Sequence, residues 1–291
     1  MDGVTDEAVA ALRAHLDADA RAADPILLDV GFSNVVVRFD GSVARIARNR
    51  HAGEGHRREA AVLPAIARHL PVSVPSPVRL VPPGPAMPYG AAIHPLLAGS
   101  VMTQDDAARS TSVPGEIAST LASLHGIDAS TFAAGLVPVF DPTAEVRRQE
   151  RATGPWLRDR LTARRWRRLR SSWHLCDRFA PARERVLCHG DAWYGNMLID
   201  NGALAGLLDW QGVCVADPVL DLAPQRYLGP GPSATVIESY LDMRRTRVPD
   251  LLDRMECFLL LREVGGLAYV LGQGMQDEYD DALEKVGRLL D

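Results

Sequence analysis

Over the first 95 residues the apolar positions come in short runs broken by turn residues. Residues 5–20, opening on Thr5-Asp6-Glu7, predict an amphipathic helix capped by Thr or Asp. Ile26–Val30, a Gly31-Phe32-Ser33-Asn34 turn, Val35-Val36-Val37-Arg38-Phe39 and, after Asp40-Gly41, a run from Ser42 to Ala47 predict three antiparallel strands. Asp-Gly between two β-branched runs is a strong hairpin signal. Residues 55–70 predict a helix, with Ala61, Val62, Ile66 and Leu70 approximating one apolar face. Seven prolines between positions 71 and 88 exclude helix there and leave room for extended segments at 78–81 and 89–93.

The pattern changes after His94-Pro95. Residues 113–126 carry Ile117, Leu121 and Leu124 at helical spacing. Segment 145–185 holds thirteen arginines against five acidic residues, with Trp156, Trp166 and Trp173 among them. It reads as a surface helix pair whose tryptophans pack inward; the competing reading is a surface for an anionic group or partner. Short apolar runs at 186–188, 197–199 and 204–208, the last two separated by Asp200-Asn201-Gly202, predict a strand, a loop and a hairpin. Residues 233–291 read as helical and acidic, with twelve acids against seven bases. No internal repeat or low-complexity tract is present.

At 291 residues the chain is long enough for two lobes with separate cores. A net charge of −5 argues against a nucleic-acid partner. No apolar run approaches the roughly 18–20 residues of a membrane span, and Met1-Asp2-Gly3 opens no secretory stretch. Cys176, Cys188, Cys214 and Cys257 are widely spaced and form no CxxC pair, so buried or free thiols are expected rather than disulfides or zinc ligands. A cytoplasmic enzyme, monomer or homodimer, fits these features. Lys285 is the only lysine, so any site ordinarily built on lysine must use arginine here.

The chemistry concentrates in His189-Gly190-Asp191, then Asn196 five residues after Asp191, then Asp209-Trp210. Asp191 could accept a proton from an attacking hydroxyl. Asn196 and Asp209 could offer oxygen ligands to Mg²⁺, a hard cation that prefers carboxylate and amide oxygens. Phosphoryl transfer needs these parts and little else, because its catalysis is mostly positioning and charge neutralisation.

Leu187-Cys188-His189-Gly190-Asp191-Ala192-Trp193-Tyr194-Gly195-Asn196-Met197-Leu198-Ile199-Asp200, Leu207-Leu208-Asp209-Trp210 and Ala216-Asp217-Pro218-Val219-Leu220-Asp221-Leu222-Ala223 resemble the aminoglycoside phosphotransferase family. The likeness extends from about Ile26 to Tyr240. It implies an α+β, bilobal protein-kinase-like fold: an N-terminal antiparallel sheet plus helix over residues 1–95, and a mostly helical lobe over 96–291. By the same resemblance Asp191 is the catalytic aspartate and Asn196 and Asp209 are the magnesium ligands. His189 braces the loop, and Asp217 and Asp221 anchor it to the helix that follows. ATP or GTP would lie under the Gly31–Asn34 turn, where Ser33 and Asn34 offer donors. Its base would meet the hinge that includes Ile93, His94 and Leu96. Arg45, or else Arg48, stands for the family's phosphate-binding lysine, and Glu59 for the glutamate that pairs with it.

For the hydroxyl acceptor the candidate contacts are Asp191, Trp193, Tyr194, Gln211, Tyr227, Glu238, Asp242, Glu263 and Tyr269. An acidic C-terminal segment suits a polycationic aminoglycoside; the aromatics equally suit a macrolide or nucleoside antibiotic. A housekeeping kinase of choline, homoserine or a ketosamine is the alternative enzyme. An inactive nucleotide-binding protein is the alternative from another class, motivated by the missing lysine. A protein kinase fits less well, because the motif is H-G-D and Asp209 is followed by Trp. No His/Asp cluster points to a two-metal phosphohydrolase.

Overall fold

The computed structural model describes residues 4–30, 33–179 and 184–291. The expected turn residues Gly31 and Phe32 lie outside them. The chain opens with helices α1 (Asp6–Arg13) and α2 (Ala18–Ala22) in place of one helix over 5–20. Thr5 caps α1 by accepting from the Ala8 N–H, but Asp17 is extended and starts α2 anew.

Strands β1 (Ile26–Val30), β2 (Asn34–Phe39), β3 (Ser42–Ala47), β4 (Arg79–Val81) and β5 (Ala91–Pro95) form an antiparallel sheet in the order β1-β2-β3-β5-β4. Phe39 pairs with Ser42 across the Asp40-Gly41 turn, as the hairpin signal requires. Strand β5 begins two residues later than expected, because the Gly90 N–H closes a turn onto the Met87 carbonyl first. Alternate residues Val35, Val37 and Phe39 pack with Ile46, Leu12 and Leu16 in one buried cluster.

Helix α3 (Arg50–Ile66) connects this sheet to the rest. It starts five residues before the expected position because the Asn49 side chain caps it on the Ala52 N–H. Gly53, near the start of the helix, is a close-packing device. A Cβ on Gly53 would sit 2.5 Å from the Tyr89 carbonyl oxygen. The last turns of α3, with Val62, Leu63 and Ile66, pack not with the sheet cluster but with Met102, Ile117, Leu121 and Trp210.

The remainder is largely helical: α4 (Gln104–Arg109), α5 (Val113–His125), α6 (Pro142–Arg160), α7 (Ala163–Phe179), α8 (Val219–Leu222), α9 (Pro230–Arg244), α10 (Leu251–Gln273) and α11 (Tyr279–Leu289). Two small sheets interrupt it. Strands β6 (Ser100–Val101), β8 (Met197–Asp200) and β9 (Ala203–Leu207) form one, and β7 (Val186–Cys188) with β10 (Cys214–Ala216) the other. Strands β6 and β10 escape sequence reading, being two and three residues long. The basic pair α6 and α7 does turn tryptophan inward. Trp173 is buried, with Trp166 edge-on to it, and Trp156 packs on Tyr279. All four cysteines are buried and free. Among the described residues no helix is long and apolar enough to cross a membrane. The fold is α+β and two-lobed, with an antiparallel sheet first and a helical majority after it.

Candidate active site

Strand β7 delivers the chain into His189-Gly190-Asp191. Gly190 has φ +88°, and a Cβ there would fall 2.1 Å from the Gly212 carbonyl oxygen, so any side chain is excluded by both backbone and space. The backbone N–H groups of His189 and Gly190 donate to Asp221 at 2.7 and 2.9 Å. Asp221 is fully buried, which works against its charge. Bonding to His125 and to the Gly190 N–H nevertheless holds its carboxyl below the usual range. His125 is itself 2.7 Å from the Tyr240 hydroxyl, so helices α5, α8 and α9 together brace the loop. His189 Nε2 faces the Leu208 carbonyl at 2.8 Å, while Nδ1 accepts from the Asp191 N–H at 3.2 Å. That pairing selects the neutral tautomer with the proton on Nε2. The ring packs on Trp210, 4.5 Å between centroids. Asp217 does not touch the loop backbone with its carboxylate; it pairs with Arg254 and caps α8 through the Val219 N–H.

Asp191 is held at both oxygens. Asn196 Nδ2 donates to Oδ2 at 3.0 Å and to the Asp191 carbonyl at 2.9 Å; Arg262 Nε donates to Oδ1 at 3.0 Å. With its amide nitrogen so engaged, Asn196 retains its side-chain oxygen as a donor to a cation. Asp209 follows β9 with a left-handed backbone, φ 58°, and its side chain is 47% exposed. Both line the same cleft as Asp191, a space of about 1010 Å³ between the five-stranded sheet and the helical lobe. An amide oxygen and a carboxylate are the hard oxygen donors that Mg²⁺ takes, so the residues present fit that ion.

From the sheet side, Arg45 reaches into the cleft. Its Nη1 holds Glu59 Oε1 at 2.9 Å and its Nη2 holds Asp209 Oδ1 at 2.8 Å. Burial opposes the guanidinium's charge, but the two carboxylates keep it above its ordinary range. Arg48, the competitor for this place, is exposed and does not line the cleft. With its amide turned so that the nitrogen faces His56, the orientation that satisfies both ends, Asn34 accepts from Gln211 Nε2 at 3.1 Å and from Arg45 Nη2 at 3.3 Å, and donates to His56 Nε2 at 2.9 Å. Burial, and then the positive Arg45, push His56 down to about 3 and His94 down to about 4. Both imidazoles therefore stay neutral beside the arginine. Arg58 Nη1 donates to the Gln211 carbonyl at 3.0 Å, tying α3 to the turn after Asp209.

Of the other nucleotide candidates, Ser33 and Leu96 line the cleft, whereas Ile93 turns into the sheet core and Glu59 is buried behind Arg45. Strand alternation explains Ile93: its neighbour His94 takes the cleft face. Apolar Leu28 and Val43 from the sheet and Leu198 and Leu208 from the other lobe also line this half. Of the acceptor candidates, Trp193, Gln211, Glu263 and Tyr269 line the cleft. Tyr194 packs against the buried cluster of the helical lobe, and Tyr227 stands behind Glu263, to which its hydroxyl donates. Glu238 and Asp242 lie on α9, which packs on α5, and do not line the cleft.

Arg262, Glu278, Asp281 and Lys285 line the acceptor half without having been anticipated. One signal could have found Arg262. The Arg262-Glu263 pair interrupts the apolar run Cys257-Phe258-Leu259-Leu260-Leu261 and Val264 within a helix whose other nearby positions are buried. Arg262 lies over Trp193 and Tyr227, 5.1 and 5.6 Å from the ring centroids, and its Nη1 binds Glu263 Oε1 at 2.8 Å. Burial resists its charge, and Asp191 and Glu263 more than offset this, holding it above the ordinary arginine range.

A model of the phosphotransferase enzyme family matches residues 25–256. Among solved structures, the GDP and kanamycin complex of APH(2")-IIIa superposes with a TM-score of 0.80 at 18% identity, covering 91% of this chain and 92% of that one. Macrolide 2'-phosphotransferase MphH from Brachybacterium faecium, an apoenzyme, gives 0.70 at 23%, covering 94% and 97%. The streptomycin-ATP-APH(2")-IIa ternary complex gives 0.67 at 14%, covering 98% and 99%. At these identities the likeness to solved structures establishes the fold.

Proposed function

This chain belongs to the phosphotransferase enzyme family, and from that premise we propose that it transfers the γ-phosphoryl group of ATP or GTP to a hydroxyl of a small-molecule antibiotic. The observation that carries the reading is the convergence of Asp191, Asn196, Asp209 and Arg45 on one cleft. Residues 1–95 would cover the nucleotide and 96–291 supply the loop and the acceptor wall.

In this reading the base lies between Leu28 and Val43 above and Leu198 and Leu208 below, with the segment after β5 at its edge. Arg45 neutralises the phosphates that do not transfer, kept in place by Glu59. Asn196 and Asp209 would hold Mg²⁺, which when bound would neutralise charge on the phosphate oxygens. The acceptor hydroxyl gives its proton to Asp191 as its oxygen bonds to the γ-phosphorus. The bond to the bridging oxygen breaks, and the nucleoside diphosphate leaves with that electron pair.

The acceptor half sets acidic Glu263, Glu278 and Asp281, the first paired with Arg262 and the last with Lys285, beside Leu267, Val270 and Ala282. Carboxylates next to an apolar wall suit a cationic amine on a bulky carbon frame, as in amino-sugar antibiotics of the aminoglycoside or macrolide type. An assay of ADP and GDP release over aminoglycosides, macrolides, nucleoside antibiotics and simple alcohols tests this. Turnover with an antibiotic, together with resistance in a sensitive bacterium expressing the protein, is expected. Turnover confined to choline, homoserine or a ketosamine would replace the antibiotic by a metabolite. No release with any acceptor, alongside tight nucleotide binding, would refute transfer.

A further inference from the structure

Arg262 stands on α10, 71 residues from Asp191 along the chain, yet its Nε donates to Asp191 Oδ1 at 3.0 Å. Asn196 takes the other oxygen, so the two faces of one carboxylate are fixed from two independent elements, the catalytic loop and α10. The guanidinium is itself fixed on three sides. Its Nη1 binds Glu263, whose carboxylate also receives the Tyr227 hydroxyl. Its central carbon lies over the Trp193 and Tyr227 rings, 5.1 and 5.6 Å from their centroids. A planar fork can join two carboxylates while lying over aromatic rings; a lysine ammonium in its place could reach one carboxylate and could not stack.

The same helix supplies Gly266, Tyr269 and Val270 to the cleft wall. An acceptor seated on α10 and the carboxylate that must meet its hydroxyl are therefore registered to one rigid element. Misplacement of a reacting group by about 1 Å can cost roughly 100-fold in rate, so this registration is kinetically significant.

We propose that Arg262 is a positioning residue for phosphoryl transfer: it orients the Asp191 carboxylate toward the acceptor wall, with Glu263 and Tyr227 holding it in that place. The inference rests on the phosphotransfer reading. Arg262 acts on the base and not on the nucleotide, which lies against Arg45, Asn196 and Asp209. Its loss therefore lowers kcat while leaving nucleotide affinity alone.

The test compares wild type, Arg262→Ala, Arg262→Lys and Asp191→Asn in nucleoside diphosphate release. Kanamycin, a macrolide, choline and water serve as acceptors, with nucleotide binding and thermal melting measured in parallel. Arg262→Ala is expected to lose about 100-fold in kcat, with the KM for nucleoside triphosphate within threefold of wild type (about 0.65 kcal/mol). Arg262→Lys should recover part of that loss. Added guanidinium ion at millimolar concentration should partly restore Arg262→Ala but not Asp191→Asn. Wild-type kcat in Arg262→Ala overturns the proposal. So does a loss accompanied by equal weakening of nucleotide binding, with neither lysine nor guanidinium rescuing it, because that pattern marks a merely structural residue. If wild type itself releases no diphosphate with any acceptor or water, the phosphotransfer reading fails and this inference with it. If wild type turns over and Arg262→Ala is indifferent, this inference alone fails.

Discussion

Arg45 and Asp209, 164 residues apart in the chain, meet at 2.8 Å across the cleft. The cation proposed for the phosphates thus touches the carboxylate proposed for the metal, while its Nη1 holds buried Glu59.

Arg45→Lys keeps the charge but cannot engage Glu59 and Asp209 through a two-armed fork. Nucleoside triphosphate should bind about tenfold more weakly, by calorimetric titration, and Arg45→Ala more weakly still. Glu59→Ala leaves the guanidinium without its buried partner, and breaking a buried pair costs about 3–5 kcal/mol. A lowered urea midpoint without a change in slope would show it; an unchanged midpoint would mean the pair contributes nothing to stability.

Asp191→Asn retains shape and loses the ability to take a proton. Proton transfer by a positioned group contributes about 10²–10⁴-fold, so kcat should fall within that range. Nucleotide affinity should stay near wild type. Near-normal turnover would remove Asp191 from the reaction.

Gly190→Ala places a methyl group against the Gly212 carbonyl at a backbone angle that disfavours any side chain. The loop must shift, carrying Asp191 with it. Activity should be lost while the sheet lobe and its nucleotide contacts persist, a separation that binding and turnover measurements on the same sample can read. Full activity would mean the loop has slack the structure does not suggest.

His94 ordinarily titrates near 6.5 and is held at about 4 in the folded protein by burial and by Arg45. Between those values the unfolded chain binds a proton that the native state refuses, so stability falls as pH drops from 6.5 to 4. The loss from this residue is about 3 kcal/mol, at 1.36 kcal/mol per pKa unit. His56, pushed down to about 3, acts in the same direction. His94→Gln should flatten the acid limb of a stability-versus-pH curve; a curve that keeps its slope would place the acid sensitivity elsewhere.

Short-range features were legible because their causes are local. The Asp40-Gly41 hairpin and the buried Val62 and Ile66 of α3 follow from turn chemistry and periodicity over a few residues, whereas Ala61, expected on the same face, is exposed and α3 ends at Ile66, before Leu70. The expected helix over 5–20 and the start of α3 were misjudged for a related reason. Asp17 and Asn49 set boundaries through cap geometry, which a periodic pattern does not register.

By itself the amino-acid order settled the α+β class, the family likeness and the grouping of Asp191, Asn196 and Asp209. Those three residues sit within nineteen positions, and one loop and one hairpin are enough to bring them together. Tertiary structure alone decided which distant groups complete the cleft. It placed Arg45 and not Arg48 in the cleft, turned Ile93 away and left Glu238 on a remote helix. It also brought Arg262 to Asp191. Pairings of this kind depend on how helices and sheet pack against one another, and packing is a property of the whole chain that no window of sequence contains.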